Sequence, residues 1–165
     1  RKGTHGRFNA VLVDMPDPTS EKVAKLYSQG FYRMIRRHLA ADGAVAVQST
    51  SPYFAPGAFW CINATLKAAG FHVTPIRVHV PTFGQWGFNL ASMRPLPFHQ
   101  SRPKVKTRYL NADLWPSMFT WPADQPPLKV DVSTLDNPRV LYYYNQGYRV
   151  FYRARTGDSA RRRRQ

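Results

Sequence analysis

Phe8-Asn9-Ala10-Val11-Leu12-Val13-Asp14 is an apolar run that ends in an acid, and Pro16 and Pro18 stop it at once. That is the pattern of a parallel strand that delivers a side chain at its carboxyl end. A helical spacing of apolar residues follows, through Val23, Leu26, Tyr27, Phe31, Met34, Ile35 and Leu39, with Lys25, Arg33, Arg36 and Arg37 largely between them. Thr19 or Ser20 is placed to cap it and Glu21 sits in its first turn. Gly30 is the expected break between two helices, and Asp42-Gly43 the expected end. A second buried strand, Gly43-Ala44-Val45-Ala46-Val47-Gln48, comes next. A strand, a helix and another strand in succession restrict the chain to an α/β layer fold with a parallel pair.

The pattern continues in kind. A helix is predicted from about Ala55 to Ala69, with Gly70 closing it. Val73 to Val80 reads as a third strand, and Pro75 assigns it to an edge or an irregular position. Phe83 to Gly87 is read as the turn, and Phe88 to Ser92 as an antiparallel return. The fold class is therefore α/β: the C-terminal half of a Rossmann-like, mainly parallel sheet with a terminal antiparallel hairpin. Residues 1–93 are assigned to that half-domain and 94–155 to a C-terminal extension packed on it. Within the extension, residues 94–108 are a Pro- and Lys/Arg-rich linker, and a short helix lies between Asn111 and Trp121. Val140 to Tyr152 fits a helix or a hairpin turning at Asn145-Gln146-Gly147, with the helix preferred. Residues 156–165 are expected to form a disordered basic tail.

Charge and composition exclude more than they assign. Of the formal net charge of +15, residues 153–165 supply six Arg and one Asp, and the other basic residues are scattered. That points to solvated or membrane-proximal charge rather than specific nucleic-acid binding, since no zinc-finger or RNP signature is present. The single cysteine, Cys61, excludes an internal disulfide and a cysteine-built metal site, and is expected to be a buried, bland thiol. The five His residues show no ligand spacing, so no metal is assigned. Nothing approaches the ~18 consecutive apolar residues of a membrane span. The chain opens on Arg1 with no Met or signal-like run and is read as part of a longer protein. No G-x-G-x-x-G turn occurs, so the residues that grip a nucleotide are expected outside this chain.

The chemistry-bearing residues gather at the strand ends. Asp14 and Asp17, three apart on a Pro-stiffened loop, suit a cation-receiving site, in which a bound ammonium relieves their repulsion. Plain turn chemistry is the other reading. Gln48, Ser49, Thr50 and Ser51 leave the next strand on the same rim, either to bond a ligand or to cap the following helix. Tyr53, Phe54, Phe83 and Trp86 are candidate pocket walls or core residues.

Val11-Leu12-Val13-Asp14-Met15-Pro16-Asp17-Pro18, then Leu26-Tyr27-Ser28-Gln29-Gly30-Phe31-Tyr32, Gly43 to Gln48, and Pro81-Thr82-Phe83-Gly84-Gln85-Trp86-Gly87-Phe88 resemble the polyamine aminopropyltransferases, the spermidine synthase family, across roughly residues 8–121. The Asp-x-x-Asp-Pro loop followed by Leu-Tyr-Ser-x-x-Phe-Tyr is the specific part. Gln48 to Pro56 is similar to a bacterial branch whose members often carry an N-terminal membrane portion.

The resemblance implies transfer of an aminopropyl group from decarboxylated S-adenosylmethionine, a co-substrate and not a resident cofactor, to a diamine such as putrescine. Spermidine and methylthioadenosine would be the products. It places the catalytic base on Asp14 and the amine-holding acid on Asp17, with Gln48, Phe83 and Trp86 also toward the substrate. Met15 and Pro16 fall on the adenine side. It also implies a homo-oligomer and a cytoplasmic enzyme, or the cytoplasmic domain of a membrane protein. Three departures bear on this: Phe83 stands where a Tyr is common, Met15-Pro16 replaces a small polar pair, and Thr19-Ser20-Glu21 replaces a Gly-Pro. An adenosylmethionine-dependent methyltransferase on the same scaffold and a non-catalytic polyamine-binding relative are the alternatives. The chain alone is expected to be incomplete as a catalyst.

Overall fold

The computed structural model describes residues 6–101 and 104–156, and side chains as far as residue 150. The tail assigned to residues 156–165 lies, but for Thr156, outside the described residues. Four strands, β1 (Phe8–Val13), β2 (Leu39–Gln48), β3 (His72–Val80) and β4 (Gly84–Ser92), form one sheet in the order β1-β2-β4-β3. β1 runs parallel to β2, while β4 is antiparallel to both β2 and β3. The sheet is therefore mixed: the parallel pair carries the acidic loop, and the hairpin extends the sheet on the other side.

The helix between β1 and β2 is broken, but not at Gly30. Ser28 is extended (φ −87°, ψ 155°), and its hydroxyl caps α2 (Gln29–His38) at Phe31 N–H. Ahead of it, Ser20 caps the single turn α1 (Glu21–Ala24), which runs into a 3-10 turn over Lys25–Tyr27. Gly30 sits in the first turn of α2. Serine hydroxyls compete for backbone N–H groups, so each serine starts a new helix. The Asp42-Gly43 stop is also misplaced. The helix ends at His38, and β2 starts at Leu39 through a register irregularity opposite Phe8–Ala10.

β1 is less buried than its composition implies. Only Val13 is buried, and Leu12 is 83% exposed. As the sheet's edge it has β2 on one side only. An exposed apolar edge of this kind invites pairing with further chain.

The core lies on the other side of the sheet. α3 (Pro56–Ala68) buries Ala58, Phe59, Cys61, Ile62 and Leu66. It closes at Gly70, whose φ of +92° is left-handed and suits glycine. Pro75 does fall on an edge strand, and its missing N–H costs the β3–β4 ladder nothing. The chain beyond the sheet covers that edge: Arg77 N–H donates to Met118 O at 3.0 Å and Arg77 Nε to Thr120 O at 2.7 Å. The turn of the hairpin is tighter than Phe83–Gly87, because Gln85, Trp86 and Gly87 already belong to β4.

The ambiguous C-terminal segment is a helix, α5 (Arg139–Thr156), and it packs against α3. Gly147 allows the approach: a Cβ there would lie 2.6 Å from Phe54 O. Buried Ser133 anchors the segment. Its N–H donates to Thr65 Oγ1 at 2.9 Å, its carbonyl accepts from Gln29 N–H at 2.9 Å, and its hydroxyl faces Val140 N–H at 3.4 Å. The shorter α4 (Leu114–Ser117) spans only part of the stretch read as helix, and Trp121 nearby stacks on Phe59 and Trp60.

Cys61 is fully buried, and burial pushes its thiol up to about 12. The neutral thiol is a poor nucleophile. Native protein should therefore leave this thiol unreacted with a thiol-specific aromatic disulfide at pH 8, and denaturant should release it.

Candidate functional site: an acidic loop backed by a buried tyrosine

The loop Asp14–Pro18 leaves the carboxyl end of β1, and Gln48 to Ser51 leave the carboxyl end of the adjacent parallel β2. Parallel pairing alone brings both polar groups to one rim. Asp14 is exposed, and among the described residues its carboxylate accepts no side-chain hydrogen bond. Asp17 is half-buried and engaged on both oxygens. Gln48 Nε2 donates to Oδ1 at 3.0 Å, and Thr50 Oγ1 donates to Oδ2 at 3.2 Å. The two acids of one motif thus sit in different environments.

Behind the loop lies Tyr27, 1% exposed. Its hydroxyl reaches Pro16 O at 3.0 Å, Gln48 Oε1 at 3.1 Å and Met15 O at 3.2 Å. The Tyr27 contact also orients the Gln48 amide. The flipped amide would set its oxygen against the Asp17 carboxylate, so the carbonyl must face Tyr27 and the NH2 must face Asp17. Burial first, then the Asp17 and Asp14 charges, hold the Tyr27 phenol well above its ordinary range, so it stays a donor. Tyr27→Phe removes one donor facing three acceptors, of which the Gln48 contact is buried and the other two part-buried. It should lower stability by about 1–2 kcal/mol in thermal unfolding of the full-length protein, and lower turnover more than a surface Tyr→Phe change does.

Thr50 carries backbone strain. Its φ is +58°, the one left-handed non-glycine residue among those described, and it is β-branched. Such a conformation costs on the order of 1 kcal/mol and persists only where neighbours impose it. Here Gly87 N–H donates to Thr50 O at 2.8 Å and Ser49 N–H donates to Gly87 O at 2.9 Å. A buried chain supports them from below: Asn63 Nδ2 to Asn89 Oδ1 at 2.7 Å, Asn89 Nδ2 to Ser49 Oγ at 2.9 Å, and Ser49 Oγ to Val47 O at 2.8 Å. This backbone aims the Thr50 hydroxyl at Asp17.

The residues singled out in the sequence are only partly brought together. Asp17 and Gln48 bond each other directly. Met15 and Pro16 join the network through their carbonyls, both to Tyr27. Phe83 and Trp86 stack on one another, with centroids 5.4 Å apart, in the β3–β4 hairpin, and Phe83 is 60% exposed. Neither ring is part of the hydrogen-bonded cluster. Ser51 is not free for a ligand: its hydroxyl donates to Gln85 O at 2.6 Å and accepts from Tyr53 and Phe54 N–H. Tyr27 and Thr50 were each in view in the sequence, as a helix residue and as a rim residue, but neither was assigned to the site. Tyr144 of α5, far along the chain, has its phenol held above the ordinary range by burial first and then by the Asp17 charge. No spacing rule reaches across that separation.

Among the described residues no group of three or more His, Cys, Asp or Glu gathers to hold a metal, and no helix is long and apolar enough to cross a membrane. A cavity of about 580 Å³ lies elsewhere, between α3, residues 128–130 and the Tyr143–Val150 face of α5. It contains neither acid.

Residues 2–101 match the spermine/spermidine synthase domain. Polyamine aminopropyltransferase 2 of Ralstonia nicotianae is 42% identical over 142 residues, which is 86% of this chain and 28% of that protein. Polyamine aminopropyltransferase 1 of Streptomyces coelicolor is 43% identical over 88% of this chain and 28% of its own length. The chain thus spans under a third of these relatives. Among solved structures, a spermidine synthase crystallised with the transition-state analogue AdoDATO superposes with a TM-score of 0.64 at 20% identity, covering 71% of this chain and 43% of that one. The Thermotoga maritima spermidine synthase gives 0.61 at 21% identity, over 71% and 42%. The β1–acidic loop–β2 unit therefore has the fold of those enzymes, and the chain belongs to the spermine/spermidine synthase domain family.

Proposed function

We propose that the full-length protein transfers an aminopropyl group from decarboxylated S-adenosylmethionine to a diamine such as putrescine, with the acidic loop as the amine wall of the active site. The observation that carries this is the split between the two acids: Asp14 exposed and unengaged, Asp17 fixed by Gln48 and Thr50. A reacting amine needs a carboxylate able to turn toward it, and a bound ammonium needs one that stays still.

In this reading the neutral amine nitrogen attacks the propyl carbon next to sulfur. The carbon–sulfur bond breaks, and its electron pair stays on sulfur, giving the thioether methylthioadenosine. The new secondary ammonium then loses a proton. An alkylammonium and a carboxylic acid differ by about 6.5 pKa units in water, or ~9 kcal/mol, so a carboxylate is a weak base for this work. Asp14 acts by orienting the amine and relaying the proton that the substrate's ammonium form gives up before attack, while the sulfonium charge nearby disfavours that form. The rest of the rate comes from in-line alignment of nitrogen, carbon and sulfur. Gln48 holds Asp17, Phe83 and Trp86 line the amine side, and Met15 and Pro16 lie toward the adenine.

Residues 1–93 are the C-terminal half of the catalytic domain in this reading, and 94–155 an extension that docks on it. The grip on the nucleotide comes from chain outside this one, so this chain by itself does not turn over. The exposed β1 edge supports that division. Homo-oligomers, a cytoplasmic site of action and membrane attachment through a separate N-terminal portion belong to the same proposal.

The paired acids favour a cationic acceptor over the neutral acceptors open to a methyltransferase. Incubating full-length protein with decarboxylated adenosylmethionine and putrescine should release methylthioadenosine. Transfer only from the methyl donor would replace this reading with a methyltransferase, and diamine binding without turnover would make the protein a binding relative.

A further inference from the structure

A β-branched residue stands where the backbone asks for glycine. Thr50 has a φ of +58°, while the other left-handed positions among the described residues, Gly70 and Gly84, are glycines. Glycine takes that conformation freely, whereas a branched side chain strains it. Were Thr50 only a turn, glycine would serve it better. The side chain is therefore the part the site uses, and its hydroxyl donates to Asp17 Oδ2 at 3.2 Å. Thr50 is fully buried, between Ser49 and Ser51, which are fully buried too. Its carbonyl accepts from Gly87 N–H at 2.8 Å, and the Ser49 hydroxyl beside it accepts from Asn89 Nδ2 at 2.9 Å. The hydroxyl is cut off from solvent, and the backbone that carries it is held by the neighbouring strand.

Gln48 and Thr50 each take a different oxygen of Asp17. A single donor would leave the carboxylate free to rotate about that bond, and a second donor on the other oxygen fixes its plane. We propose that Thr50 is a positioning residue whose strained backbone sets the plane of the Asp17 carboxylate, and with it the span between the held ammonium and the reacting nitrogen of a diamine. This rests on the aminopropyl-transfer reading above, and it makes the preferred acceptor length depend on how β4 grips the end of β2. The grip is the pair of backbone bonds from Gly87 to residues 49 and 50, with the Asn63–Asn89–Ser49 chain beneath them. Strain of this kind persists only where the surroundings impose it, and it collects where a site needs one geometry set in advance.

The test uses the full-length protein and three changes at this one position. Thr50→Val keeps the branch and loses the hydroxyl. The KM for 1,4-diaminobutane should rise about fivefold, the effect of one side chain that must now be ordered on binding. The KM for the aminopropyl donor should stay unchanged and kcat should move far less than the amine KM. The preference for 1,4-diaminobutane over 1,5-diaminopentane should fall as well. Thr50→Ser returns the hydroxyl and should restore both the KM and the preference. Thr50→Gly removes the strain together with the hydroxyl, so it should be at least as stable as Thr50→Val in thermal unfolding while its amine KM is raised at least as far. In an Asp17→Asn background, Thr50→Val should add nothing to the amine KM. A purely structural role would make KM follow stability and leave the amine preference intact, and that result, or an unchanged amine KM in Thr50→Val, would overturn the assignment. Calorimetric titration with 1,4-diaminobutane separates the two proposals. A wild type that binds the diamine without turnover, and loses affinity about fivefold in Thr50→Val, would remove the transfer reading and leave Thr50 as a positioning residue. A wild type that neither binds nor reacts would remove both.

Discussion

Asp14→Asn in the full-length protein is expected to lower turnover by about a thousandfold, within the range of a lost acid–base group. Binding of the aminopropyl donor and thermal stability should be nearly unchanged. The expectation follows from where Asp14 sits. It is exposed at the carboxyl end of β1 and accepts no side-chain hydrogen bond among the described residues, so the neutral isostere breaks nothing in the fold. Surface changes of this kind usually move stability by no more than about 0.5 kcal/mol. What is lost is the acceptor that turns the amine lone pair toward carbon and takes up the proton. Single-turnover kinetics with decarboxylated adenosylmethionine and putrescine, beside calorimetry of donor binding, separates the chemical step from assembly. Full activity in Asp14→Asn would refute the assignment.

Gly87→Ala is the opposite kind of change, a single methyl with a large structural effect. A Cβ at Gly87 would lie 2.5 Å from two ring carbons of Phe59 and 3.0 Å from Thr50 O. Neither neighbour can give way freely. Phe59 is fully buried, with the rings of Trp60 and Trp121 5.2 and 5.3 Å away. Thr50 is already held in a left-handed conformation by the Gly87 N–H. Overpacking of this kind costs about 3 kcal/mol. The damage also reaches the site, because a displaced β4 releases the strained Thr50 backbone and with it the hydroxyl that holds Asp17. Thermal unfolding of the full-length variant should show a drop of several degrees, together with a raised KM for the amine. A variant with wild-type stability would show that the β2–β4 approach is looser than these distances.

These expectations differ in how far the sequence foreshadows them. The acidic loop was legible because its cause is local: an apolar run, an acid and two prolines that end the strand. The pairing of Asp17 with Gln48 was half legible, since parallel strands put their carboxyl ends on one rim, but which side chains would bond there was not. Pro75 marked an edge strand because a missing N–H has few other places to go. Gly30 misled, because a helix tolerates glycine and the break belonged to Ser28, whose hydroxyl captures a backbone N–H. The tight hairpin turn was misread because Gly84 and Gly87 look alike in sequence. Gly84 takes a left-handed φ of +74° at the turn, whereas Gly87 is needed inside the strand for close packing. The docking of α5 on α3 was out of reach, since it depends on close approaches at Gly57 and Gly147 that no local pattern marks.

The central claim is that a diamine lies against this loop, one nitrogen near Asp14 and the other held by Asp17. A crystal structure of the full-length protein with putrescine and methylthioadenosine tests it directly. The account predicts one amine nitrogen within hydrogen-bonding distance of Asp14 and facing the thioether sulfur, and the other on an acceptor position of Asp17, with the Gln48 and Thr50 bonds intact. A diamine lodged instead in the cavity between α3 and α5, or bound without contact to either acid, would contradict it.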